Sequence, residues 1–240
     1  MKTIGLIGGM SWESTQTYYR LINQQVREQL GGLHSARLVL YSVDFAEIEA
    51  LQHKGDWEAT AAILSGAARS LRSAGADFLV LCTNTMHKVA PQIEKASELP
   101  LLHIADATAD VLQSDGVSRV GLLGTSFTME QAFYRERLEA RGIEVLVPDD
   151  VQRELVHQVI YQELCQGEVV PESKQQYLDI VSSLAERGAQ GVILGCTEIG
   201  LLIQAPDTTV KLYDTTAIHA DQAVAYALDQ GAGSGTPEVS

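Results

Sequence analysis

SLRSAGADFLVLCTNT (residues 70–85) aligns without a gap on SLAERGAQGVILGCTE (residues 183–198). The two stretches share Ser-Leu, Gly-Ala and a Val/Ile-Leu run that ends in small polar residues. Each reads as a helix end, a glycine turn and an apolar strand. A second match sets TIGLIGG (3–9) on RVGLLGT (119–125). The chain is therefore two copies of one unit, which predicts two similar α/β lobes related by a pseudo-twofold axis. Ligands of parallel sheets bind beyond the carboxyl ends of the strands, so two such lobes would enclose a cleft between those ends.

The rest of the chain fits around these matches. Apolar runs at 3–8, 37–43 and 77–82 alternate with helical spacing at 14–30, 57–74 and 85–97, the last closed by Pro100. The second half repeats the order, with strands at 119–123, 143–147 and 191–195. Its helices fall at 127–141, near 151–166 and at 172–187. Strands rich in Val, Ile and Leu between amphipathic helices imply mostly parallel sheets covered on both faces, an α/β fold of two three-layer lobes. Residues 1–103 plus 214–230 are assigned to lobe 1 and 104–213 to lobe 2. The stretch GAGSGTPEVS (231–240) has the composition of a disordered tail.

Composition narrows the function. Of the 240 residues 45% are apolar, enough for a sizeable core, and the net charge of −14 argues against nucleic acid or anionic membrane as a partner. There is no signal-peptide pattern and no apolar run of spanning length, so a cytoplasmic protein is expected. Cys82, Cys165 and Cys196 lie far apart without CxxC spacing, and the six histidines show no ligand spacing. Neither a disulfide framework nor a metal site is predicted.

The alignment pairs Cys82 with Gly195 and Thr83 with Cys196. Thr83 and Cys196 are then expected to face each other across the cleft, and Cys82, one residue earlier on the strand, to turn into the packing. Two proton-carrying groups on opposite sides of one bound molecule suit inversion of a carbon centre: one removes a proton and the other delivers one. A thiol titrates near about 8.5, and a following helix start can lower it. The N–H groups of Asn84–Thr85 and Thr197–Glu198 could hold a carboxylate.

Four motifs, GGMSWEST (8–15), CTNTMH (82–87), LGTSFTM (123–129) and GCTEIG (195–200), resemble the aspartate/glutamate racemase family, most closely its broad-specificity amino-acid racemase branch. The similarity runs from residue 2 to about residue 230. It implies a racemase of aspartate, glutamate and other amino acids that uses no pyridoxal phosphate or other cofactor, works by two-base proton transfer and is commonly a homodimer. Most members carry a cysteine in both halves, whereas here Thr83 stands in place of the first. The resemblance makes Cys196 the base and Thr83 the proton donor, with L-to-D the faster direction. It also brings Met10, Ser11 and Gln52 towards the substrate, although Gly8-Gly9 reads equally as a tight turn and Gln52 as an exposed helix residue.

Other positions keep two readings. Thr125 and Thr128 either touch the ligand or cap a helix. His87 either tunes Thr83 or a substrate carboxylate, or makes a structural hydrogen bond, and Cys165 reads as a helix packing residue. Glu198 would oppose a thiolate if it faced Cys196, so it is expected to turn away or to hold the substrate ammonium. Gln158, Gln162 and Gln166 stand where some relatives carry a lysine for the side-chain carboxylate, which favours broader or neutral substrates over strict aspartate specificity. Two rival functions remain: a decarboxylase that uses Cys196 alone, and an amino-acid-binding protein without turnover.

Overall fold

The computed structural model describes residues 1–229, and the predicted tail at 231–240 lies outside the described residues. One sheet holds β1 (Ile4–Gly8), β2 (Leu38–Ser42), β3 (Phe78–Leu81) and β4 (Leu101–Leu102), in the order β2-β1-β3-β4. The other holds β5 (Arg119–Gly124), β6 (Glu144–Leu146), β7 (Val192–Gly195) and β8 (Leu212–Asp214), in the order β6-β5-β7-β8. Every strand pair is parallel. The helices of the first half are α1 (Trp12–Leu30), α2 (Phe45–His53), α3 (Trp57–Ser73) and α4 (Ala90–Ser97), with α5 (Ile104–Ser114) leading to the second sheet. There follow α6 (Ser126–Glu130), α7 (Ala132–Glu139), α8 (Asp150–Gln162), α9 (Pro171–Glu186), α10 (Ile199–Leu202) and α11 (Thr215–Leu228). None of the described helices is long and apolar enough to cross a membrane.

The two internal matches meet in the strand registers. Gly5 lies opposite Leu79 in the first sheet and Gly121 opposite Val192 in the second. These are the residues that the two alignments superimpose, so each lobe brings its central strands together in one register. Side-chain alternation then sorts the first lobe into layers. Ile7, Leu79 and Leu81 pack with α2, α3 and α4, while Ile4, Leu6, Phe78, Val80 and Cys82 pack with α1 and α11. Cys82 is fully buried on the α1 side. In α1 the buried Tyr18, Ile22 and Val26 recur at helical spacing, and in α11 Ala220, Ala223, Val224 and Ala227 do so. The second lobe has one core running from Ile104 to Tyr213.

Each lobe has four strands where the sequence predicts three. The extra strands, β4 and β8, have two and three residues, too few for a periodic signal. The helices α2, α5 and α11 are also additions. The predicted helix at 127–141 is broken at Gln131, whose backbone is extended and whose side chain accepts a hydrogen bond from Lys88 Nζ at 2.7 Å. The helix predicted at 85–97 begins with a 3-10 turn over Thr85–Val89.

The turn after β1 depends on Gly9. Its φ is +92°, and a Cβ there would lie 2.3 Å from the Val43 carbonyl oxygen. Gly9→Ala is expected to cost roughly 2–4 kcal/mol, combining a disfavoured backbone region with a backbone clash. Thermal unfolding is the check, with a fall in Tm of roughly 5–15 °C expected for a chain of this size.

Candidate active site

A narrow, largely enclosed cavity lies where β3 and β7 end. Thr83, Asn84 and Thr85 enter it from the first lobe, and Cys196, Thr197 and Glu198 from the second. Met10, Phe45 and Gln52 form one wall, and Ile160, Tyr161 and Cys165 the other. Thr83 and Cys196 thus occupy equivalent strand ends and line one cavity, both more than nine-tenths buried. No lysine or arginine lines it among the described residues, and among these no group of three potential metal ligands occurs.

Glu198 departs from its expected place. Its Oε2 accepts from Cys196 Sγ at 3.0 Å and from Thr197 Oγ1 at 2.7 Å, and its Oε1 accepts from Ser11 Oγ at 2.6 Å. The carboxylate therefore faces the sulfur. The physical reason is satisfaction: a carboxylate only 3% exposed needs donors, and three converge here. Burial first, and then the charge of Glu198, push the Cys196 thiol well above its ordinary range. The lowering expected from a helix start does not prevail, because α10 is four residues long and begins three residues beyond the sulfur. Ser11 stands directly behind Glu198. Its hydroxyl caps α1 and holds Glu198, and it is not part of the cavity wall.

Gln52 is buried, not exposed on its helix, and its Nε2 donates to the Tyr161 hydroxyl at 2.7 Å across the cleft. Tyr161 went unnoticed in the sequence; its signal is weak, one aromatic in a helix of mixed polarity. Burial raises its phenol above the ordinary range. Cys165 packs against the second lobe's core, as expected, and also lines the cavity, where a 3-10 turn over Leu164–Gln166 follows the end of α8 at Gln162. Thr125 both caps α6 and lines the cavity. Its hydroxyl lies 3.1 Å from that of Thr85 and 3.3 Å from that of Thr128. Asn84 Nδ2 donates to Thr215 Oγ1 at 3.1 Å, and Thr215 donates to the Leu194 carbonyl at 2.8 Å. Asn84 Oδ1 is buried and has no partner among the described residues.

Behind Thr83, three buried imidazoles gather where the chain passes between the sheets. The ring of His87 lies 4.6 Å from that of His103 and 5.7 Å from that of His219. Burial lowers His87 to about 3 and His219 to about 4, and it lowers His103 as well. The unfolded chain takes up these protons near pH 6.5, and the folded chain does not until much lower pH. Stability is therefore complete above about pH 6.5 and is lost as pH falls towards 4, by about 1.4 kcal/mol per pH unit for each histidine. Urea midpoints at pH 7.5 and 5.0 measure it, and a midpoint unchanged between them contradicts the neutral cluster.

Two parallel α/β lobes thus bring a thiol and a hydroxyl to equivalent strand ends, and comparison with known proteins places the chain. Residues 7–223 match the Asp/Glu/Hydantoin racemase family model, and the chain belongs to that family. It is 25% identical over 226 residues to the broad specificity amino-acid racemase of Bacillus subtilis, covering 92% of this chain and 96% of that one. A crystal structure from Yersinia pestis, assigned as an Asp/Glu racemase, is 60% identical with a TM-score of 0.89, over 95% of this chain and 100% of that one. An aspartate racemase homologue from Pyrococcus horikoshii is 36% identical with a TM-score of 0.82, over 95% and 99%.

Proposed function

We propose that this chain is a cofactor-independent amino-acid racemase in which Cys196 and Thr83 work on opposite faces of the α-carbon. The observation that carries this is their placement at equivalent strand ends on one cavity, on two lobes that repeat each other. Cys196 Sγ donates its proton in a hydrogen bond to Glu198 Oε2 at 3.0 Å. With that proton on Oε2 the sulfur is a thiolate, and the entering substrate ammonium favours charge there. The thiolate takes the α-proton of the L-enantiomer, and the Thr83 hydroxyl delivers a proton to the other face, resupplied from cleft water. Backbone N–H groups at Asn84–Thr85 and Thr197 hold the α-carboxylate, and Asn84 Oδ1 is placed to accept from the ammonium.

The side-chain end of the cavity is uncharged. Gln52, Tyr161, Cys165 and Ile160 offer hydrogen bonds and apolar contact but no cation. This favours neutral side chains over a second carboxylate, which would enter without a counter-charge and near Glu198. The deciding experiment incubates each L- and D-amino acid with the protein in D2O and follows α-hydrogen exchange together with chirality. Exchange with inversion that is lost in Cys196→Ala supports the racemase. Binding without exchange for every amino acid would leave a sensor, and release of CO2 from an arylmalonate would indicate the decarboxylase.

A further inference from the structure

The two half-sites are not alike in what stands behind them. The alignment that sets Thr83 on Cys196 sets Thr85 on Glu198 and His87 on Gly200. The thiol half has a carboxylate on its sulfur and nothing at the place of the imidazole. The hydroxyl half has an imidazole and no carboxylate. At the thiol, the carbonyl of Cys196 accepts from the Ile199 N–H at 3.2 Å. At the hydroxyl, the carbonyl of Thr83 accepts from His87 Nδ1 at 2.8 Å.

The second nitrogen of His87 settles the tautomer. The Ile104 N–H, in the first turn of α5, donates to Nε2 at 3.2 Å, so the ring proton sits on Nδ1 and is given to Thr83. His87 is 1% exposed, wedged against His103 and His219, and neutral for the reason given above. It joins the end of β3 to the start of α5, whose Thr108 accepts from Tyr134 of α7 at 3.4 Å. The C=O and N–H of one trans peptide point in opposite directions. Holding the Thr83 carbonyl therefore also fixes the direction of the Asn84 N–H, and it limits the torsion that aims the Thr83 side chain.

We propose that His87 is a positioning residue for the Thr83 half of the reaction, acting through its Nδ1–H on the Thr83 carbonyl. A threonine hydroxyl is a weak acid and transfers a proton only when aligned with the acceptor carbon. The hydrogen bonds of His87 go to Thr83 and Ile104, whereas the Cys196 thiol is held by Glu198. Loss of the His87 hydrogen bond should therefore damage proton delivery more than proton removal. This inference rests on the racemase reading, and it concerns one half of that chemistry.

The test separates the halves. His87→Gln keeps an acceptor near the position of Nε2 and loses the donor to Thr83; His87→Asn keeps the donor near Nδ1 and loses the acceptor. L-Aspartate, L-glutamate, L-alanine and L-serine deuterated at Cα are incubated in H2O, and loss of deuterium is compared with inversion. His87→Gln is expected to lower inversion at least 10-fold relative to deuterium loss, while His87→Asn keeps the wild-type ratio. Equal loss of both rates in His87→Gln, in step with a fall in Tm, makes the residue merely structural and overturns the proposal. Absence of both rates in the wild type for every L-amino acid overturns the racemase reading itself. A measurement on the unaltered protein stands apart from folding: nitrogen NMR of 15N-histidine should show His87 as the neutral Nδ1–H tautomer at pH 7. An Nε2–H tautomer or an imidazolium there overturns the proposal.

Discussion

Cys196→Ser is expected to lower both inversion and α-proton exchange by about 10³-fold or more, with the fold intact. Serine offers no accessible anion, because an aliphatic hydroxyl is a far weaker acid than a thiol and the burial that raises the Cys196 thiol disfavours an alkoxide as well. Cys82→Ser is the internal control. Cys82 packs with Phe78, Val80 and the helices α1 and α11, away from the cavity, so its loss costs packing and not chemistry. The unequal pair has a further consequence. The enantiomers have equal free energy in water, so kcat/KM must be the same in both directions, and any asymmetry appears in kcat and KM separately. Thr83→Cys, which gives both faces a thiol, is expected to bring the two kcat values together. Initial rates with each enantiomer of an amino acid that the D2O experiment shows to be turned over are the measurement. A fully active Cys196→Ser, or equal kcat values in the wild type, would remove the support for this mechanism.

Glu198→Gln should lower kcat by about 10²-fold, the scale of losing a positioned proton acceptor. The same change has an opposite effect on the thiol itself. Removing the negative charge 3.0 Å from the sulfur lets Cys196 ionise at lower pH, although burial still holds it up. Alkylation by iodoacetamide should therefore reach its half-maximal rate at a lower pH in Glu198→Gln than in the wild type. A slower enzyme with a more reactive thiol is the signature of a carboxylate that accepts the proton. Wild-type kcat in Glu198→Gln would show that the thiolate forms by another route.

Much of this arrangement is legible in the chain. The gap-free match of 70–85 on 183–198 predicts the duplicated lobes, the cleft and the pairing of Thr83 with Cys196, because a strand end inherits its direction from the register of the whole sheet. The packing side of Cys82 follows from alternation alone. Short β4 and β8 escape such a reading, since two or three residues carry no period, and α11 escapes it because its buried face mixes alanine with threonine and histidine and holds one large aliphatic residue, Val224.

What the sequence by itself determined is thus whatever repeats at fixed local spacing: strand, helix, lobe, and the two residues placed at matching strand ends. The surroundings of those residues were decided by tertiary structure. Ser11 meets Glu198 across 187 positions, Gln52 meets Tyr161 across 109, and His87 meets the Ile104 N–H across 17. A side chain such as Glu198 can turn towards the sulfur or away from it with the same local sequence. Its direction is completed by Ser11 from the opposite lobe, which joins the local donors Cys196 and Thr197, because a buried carboxylate goes where its hydrogen bonds can be satisfied.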